Sequence, residues 1–118
     1  MINRAGKTVL PILAAFESAA DGTDWTSAPD FRAVMTDARG DGSWPLAGST
    51  FVLMQSAPAD PSRSAAALKF FHWAYTNGRE MASDLGYVPM PDKAVALIES
   101  AWKQRIKGAD GNPVYYND

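Results

Sequence analysis

The stretch Trp44-Pro45-Leu46-Ala47-Gly48-Ser49-Thr50-Phe51-Val52-Leu53-Met54 decides how this chain is read. From Thr50 onward the residues are β-branched, aromatic or aliphatic, with no polar alternation, and the run is bounded by Gly48 before it and by Pro58 and Pro61 after it. That pattern fits a β-strand buried on both faces. Such a strand needs hydrogen-bonding neighbours on both edges and cover on both faces. The only other strand candidate is the weaker run 31–35, so the sheet that 50–54 requires is mostly missing from these 118 residues.

Helical periodicity takes over on either side. Ile12, Ala15, Phe16, Ala19 and Ala20 fall on one face, with Pro11 at the entrance and Gly22 beyond the end, and the spacing predicts a short helix over about 12–20. Asp21-Gly22-Thr23-Asp24 supplies turn chemistry, and Trp25 is expected to anchor that loop. Residues 37–43 read as a loop from their Gly and Asp content. A longer helix is predicted from Ser62 to Asn77-Gly78, its apolar face formed by Ala67, Leu68, Phe71, Ala74 and Tyr75 and widened by Phe70 and Trp73. A short helix is expected over about 79–85. Pro91 and Asp92 then open a last one, buried along Val95, Ile98, Ala101, Trp102 and Ile106, with Lys103, Arg105 and Lys107 near its negative end. The residues from Gly108 onward read as a tail.

Composition excludes several function classes. With 11 basic and 13 acidic residues the net charge is -2, which gives no basic face for nucleic acid. The absence of cysteine excludes disulfides, thiol nucleophiles and Cys-based zinc sites. Residues 1–7 lack the basic, apolar and cleavage regions of an export signal, and no window approaches the roughly 20 apolar residues of a membrane span. A 47% hydrophobic composition with four Trp, five Phe and four Tyr can supply a core.

No motif for catalysis or metal binding emerges. His72 is the only histidine and has no Ser or Cys partner that spacing identifies, so a surface or partly covered ring is the expectation. Asp37 and Asp41 flank Gly40 without the regular oxygen ligands of a calcium loop. Glu80 and Asp84, one helical turn apart, read as exposed carboxylates. Gly48-Ser49-Thr50 is similar to hydroxyl-rich anion loops, but one glycine and two hydroxyls favour strand entry instead. The aromatic group Phe70, Phe71, Trp73 and Tyr75 is expected to pack rather than to form a ligand platform. A phosphate loop, an HExxH pair and a nucleophile elbow are all absent.

Six runs occur in order along the chain: Ala5-Gly6-Lys7, 20–25, 43–54, 68–75, 87–92 and Ala101-Trp102-Lys103. Together they resemble the C-terminal portion of the PstS-type phosphate-specific periplasmic binding protein of bacterial ABC importers. The resemblance implies an α/β fold, the C-terminal piece of a two-lobed periplasmic-binding-protein architecture of type II, mostly helical with one or two strands. It implies that residues 1–43 end the second lobe, 44–56 cross back, and 57–118 supply C-terminal helices of the first lobe. In that family backbone amides at helix N-termini, hydroxyls and an Arg hold one phosphate ion, and an Asp accepts a proton from it. A carboxylate acceptor repels unprotonated oxyanions such as sulfate. Those positions lie upstream of Met1, so no phosphate-binding, catalytic or metal residue is assigned to this chain, and no cofactor is implied.

Two functions of different class follow. One is the C-terminal part of a non-enzymatic phosphate-binding component, periplasmic by resemblance though without a signal peptide in these residues, and with inorganic phosphate, the permease and the missing N-terminal lobe as partners. The other is a free-standing helical interaction module that pairs with an N-terminal partner chain or with itself. Trp102 is expected in the core of either.

Overall fold

A computed structural model describes residues 1–28 and 30–116. Its regular structure is α1 (Leu13–Asp21), α2 (Pro61–Asn77), α3 (Arg79–Asp84) and α4 (Asp92–Arg105). Among the described residues, β-pairing is confined to two isolated antiparallel bridges, Ile2 with Thr8 and Lys107 with Pro113. The chain is mostly helical with almost no strand.

Local chemistry explains where the helices begin and end. Asp60 accepts a hydrogen bond from the Arg63 backbone N–H at 3.0 Å, and Pro61 occupies the first turn of α2, where a missing N–H costs nothing. α4 starts after Pro91, with Asp92 in the first turn and Lys103 and Arg105 in the last, an order that matches the helix dipole. α1 ends at Gly22, whose N–H donates to the Ser18 carbonyl at 2.9 Å. A Cβ on Gly22 would lie 2.0 Å from the Arg39 carbonyl oxygen, so only glycine lets the 39–43 loop approach this closely.

That loop is tied down by polar contacts. The Asn3 amide nitrogen lies 3.2, 2.8 and 3.2 Å from the carbonyl oxygens of Gly40, Asp41 and Ser43. Its own carbonyl oxygen accepts from the Ala5 and Lys7 N–H groups. Ser43 is fully buried and its hydroxyl donates to the Arg39 carbonyl at 2.9 Å, while Trp44 N–H reaches back to the Ala15 carbonyl. Buried polar groups here have partners, as burial requires.

Two small cores result. The first gathers Ala19 and Ala20 of α1 with Trp25, Met35, Ala38, Ala47 and Ala94 of α4. Trp25 is the anchor its position suggests: it is 3% exposed, and its indole N–H donates to the Ala20 carbonyl at 2.9 Å. The second joins Leu68 of α2 to Ile106 and Tyr115, with Met54, Trp102 and Val114 packed against them. The residues after Gly108 are therefore more than a tail. Lys107 N–H donates to the Ser56 carbonyl and Val114 N–H to the Ile106 carbonyl, a turn that carries Tyr115 into the core.

Several expectations require correction. Neither run expected to form a strand belongs to a ladder: Phe31 has φ +56° and closes a turn on Ala28, and 50–54 pairs with nothing among the described residues. Phe51, Val52 and Leu53 are exposed, Leu53 by 93%, because no sheet is present to cover them. Phe70 and Trp73 do not widen the buried face of α2. They lie exposed and stack on each other with ring centroids 6.3 Å apart. Trp102 is half-buried, stacked on Tyr75 and edge-on to Tyr115, rather than enclosed. Ile12 stands outside α1 and is exposed.

The outcome is an open molecule of 53 × 29 × 20 Å. Its radius of gyration is 16.2 Å, against roughly 13.5 Å for a compact chain of this length. Its accessible surface is 7746 Å², against roughly 6,200 Å² for a compact monomer of this mass.

Replacing Trp25 with Ala should remove about 3–5 kcal/mol of stability in urea unfolding, and Trp102→Ala should cost less, since that ring is only partly buried. An equal loss would contradict the placement of the two rings. Gly22→Ala should destabilise by about 1–3 kcal/mol, because the Arg39 carbonyl must move. The same denaturation curves measure it, and an unchanged midpoint would show that the loop yields freely.

Candidate functional site

Ionisable and aromatic groups converge where α2, α4 and the C-terminal turn meet. His72 on α2 lies with Nδ1 2.6 Å from Glu99 Oε1 on α4, and its ring is 6.2 Å from that of Tyr115. Burial pushes the Tyr75 hydroxyl above its usual range, and the Glu99 charge adds to the shift. The same two causes raise Tyr115 in the same order. This cluster joins two helices by a charge-compatible hydrogen bond between partly covered groups.

Gly48, Ser49 and Thr50 lie on the wall of a cavity of about 430 Å³ that Phe16, Tyr75, Met90 and the start of α3, Gly78 and Arg79, also line. Ser49 Oγ is the one buried side-chain oxygen or nitrogen without a hydrogen-bond partner among the described residues. Arg79 is engaged by Asp92 as an ion pair. A second hollow, about 820 Å³ and predominantly apolar, lies between 50–54 and the facing sides of α2 and α4, with Leu68, Phe71, Ile98 and Trp102 on its wall.

The remaining sequence candidates stand apart from one another. Asp37 adopts φ +55° in a turn closed by its N–H on the Pro45 carbonyl, and Asp41 is exposed. Glu80 and Asp84 are exposed on α3. Among the described residues no three His, Asp or Glu side chains gather as they would around a metal ion, and no helix is long and apolar enough to cross a membrane. Two features escaped sequence reasoning. Glu99 lies 27 positions from His72, and no local spacing links them. Asn3 has its partners about 40 residues away.

Comparison with known proteins gives these features a context. No protein-family model matches the chain. The phosphate-binding protein PstS of Xylella fastidiosa is 40% identical over 105 residues, which cover 89% of this chain and 29% of that protein. PstS of Pasteurella multocida is 34% identical over 113 residues, covering 96% of this chain and 33% of that protein. A chain of Acanthamoeba polyphaga mimivirus described as a serine/threonine-protein kinase/receptor is 34% identical over 104 residues, but these make up 6% of its length. The chain thus spans about a third of the bacterial relatives it matches. A mostly helical chain with almost no strand is consistent with part of a two-lobed periplasmic-binding-protein fold. It is a PstS-type segment, corresponding to the C-terminal part of those proteins.

One electrostatic feature is directly testable. The Asp24 carboxyl is lowered from 3.8 to about 2, first by the Thr26 hydroxyl, then by the Ser27 side chain and the backbone N–H groups of both residues. A carboxyl whose pKa is lowered by folding contributes stability above its unfolded pKa and loses it as pH falls through the folded value. Stability should therefore decline between about pH 4 and pH 2. Asp24→Asn should flatten that part of the acid-unfolding profile, and an unaltered profile would assign the acid dependence to other carboxyls.

Proposed function

We propose that this chain acts as the C-terminal part of the phosphate-binding component of a bacterial phosphate ABC import system, and that by itself it takes up no phosphate. The observation that carries the reading is sequence identity of 33–40% to PstS proteins along 89–96% of the chain. In this reading the protein is a binding component and not an enzyme, works in the periplasm, and hands phosphate to a permease. Residues 1–43 end the second lobe, 44–56 cross between lobes, and 57–118 complete the first. A dehydrated phosphate oxyanion requires several converging donors. On the 430 Å³ cavity the one charged donor is Arg79, already engaged by Asp92, and the side-chain hydroxyls beside it are those of Ser49, Thr50, Tyr75 and Tyr87.

A second reading, a free-standing helical interaction module, draws support from the uncovered apolar run at 51–53. Titration calorimetry separates the two. The chain joined to the remaining part of a PstS-type protein should bind phosphate saturably with one site, and the 118 residues alone should give no heat of binding. Saturable binding by the chain alone would overturn the claim that it takes up no phosphate. A joined protein that stays inert would overturn the transport reading.

A further inference from the structure

A backbone amide nitrogen attacks the carboxyl or amide side chain of the preceding residue only where its own residue leaves it room and no acceptor holds its proton, and glycine leaves the most room. Aspartate or asparagine precedes glycine at four places: Asp21-Gly22, Asp41-Gly42, Asn77-Gly78 and Asp110-Gly111. Three of those glycine N–H groups are bonded inside the chain. Gly22 donates to the Ser18 carbonyl, Gly78 to the Ala74 carbonyl and Gly111 to the Gly108 carbonyl, each at 2.9 Å. Gly42 N–H donates to nothing among the described residues.

Its place in a turn is the reason. Ser43 N–H donates to the Gly40 carbonyl at 3.3 Å, so Asp41 and Gly42 are the two central residues of a β-turn, whose second central amide lies outside the closing bond. Both residues are exposed, and the Asp41 carboxyl has no partner among the described residues. The Asp110 carboxyl, by contrast, accepts from the backbone N–H and the side-chain amide of Asn112. The Asn3 amide nitrogen, 2.8 Å from the Asp41 carbonyl oxygen, donates to the atom that takes up charge when the Gly42 proton leaves. Contacts within this chain hold the turn in place: Asn3 against the Gly40 and Ser43 carbonyls on one side, and the Ser43 hydroxyl against the Arg39 carbonyl and the Ser18 hydroxyl on the other.

We propose that Asp41-Gly42 is a site of spontaneous backbone isomerisation in the folded chain, and that the product loosens the loop in which it sits. The inference concerns the chain's own chemistry and does not depend on the phosphate reading. Gly42 N forms a bond to Asp41 Cγ while its proton and the carboxyl hydroxyl leave as water, closing a five-membered succinimide. Water then adds to one of the two ring carbonyls. Addition at Cγ restores aspartate. Addition at the main-chain carbonyl breaks its bond to Gly42 N and leaves isoaspartate, with the chain running through Cβ and Cγ and the former peptide carbonyl now a free carboxylate. The main chain between Gly40 and Ser43 is then longer by one carbon, so the carbonyls of Gly40, Asp41 and Ser43 no longer converge on the Asn3 amide at their present spacing.

The test ages the folded chain in neutral buffer beside the same chain unfolded in guanidinium chloride, and locates isoaspartate by electron-transfer fragmentation of the peptides. At Asp41 the folded and unfolded chains should form it at rates within about threefold of each other, whereas at Asp21, Asn77 and Asp110 folding should suppress it at least about tenfold, the factor given by about 1.4 kcal/mol of retained hydrogen bonding. Gly42→Ala keeps the fold, since a Cβ there meets Ser18 Oγ at an ordinary contact distance of 3.6 Å, and by crowding the nitrogen it should slow isomerisation at Asp41 severalfold. Suppression at Asp41 as strong as at the other three sites would overturn the proposal, as would a Gly42→Ala chain that isomerises as fast as the wild type. The isomerised chain, separated by reversed-phase chromatography and refolded, should unfold at lower urea than its parent. An unchanged midpoint would overturn the loosening of the loop.

Discussion

The need to satisfy backbone hydrogen bonds without a sheet shapes this molecule more than any single contact. Helices satisfy their own groups, so α1, α2, α3 and α4 form wherever periodicity and capping permit. The connections rely on side chains and tight turns instead. Asn3 lies against three carbonyls of the 40–43 loop, Asp24 gathers the amides of Thr26 and Ser27, and Gly108 and Asn112 close the C-terminal turn. Where neither device is available, at 46–55, the backbone makes no hydrogen bond among the described residues.

That constraint also explains the modest cores. The first relies on alanines and one enclosed indole, the second on Leu68, Ile106 and Tyr115. Alanine brings elements close but buries little apolar area per residue. Larger side chains that a compact domain would enclose, among them Phe70, Trp73 and Leu85, meet solvent instead. The surface excess over a compact monomer follows from this distribution.

Local signals were legible in the sequence because their causes are local. Pro61 after Asp60, Pro91 before Asp92 and Gly22 after Ala20 mark helix ends through φ restriction, capping and steric clearance, and the helices lie where those residues indicate. Trp25 was readable as an anchor because it follows a turn at the end of an apolar helix face. The strand-like character of 50–54 was equally plain, but a strand exists only through its neighbours, and propensity says nothing about whether they are present. Phe70 and Trp73 misled for a related reason: helical spacing gives their direction, not what lies opposite them. The His72–Glu99 contact and the Asn3 contacts depend on how distant segments fold together, which no window of sequence encodes. The PstS likeness was readable from ordered runs of residues rather than from any site, and no residue of a phosphate site was identified here.

α4 belongs to both cores. Ala94 and Leu97, near its start, pack with the first, while Trp102, near its end, and Ile106 just beyond pack with the second. Cooperativity between the two cores therefore passes along this fourteen-residue helix as well as along residues 47–54, which place Ala47 in the first core and Met54 against the second. A helix held at both ends by different cores frays from whichever end loses its support, so the chain is built to open in stages rather than all at once. Amide protection along α4 would then report the separate stabilities of the two cores, which a single unfolding midpoint would average.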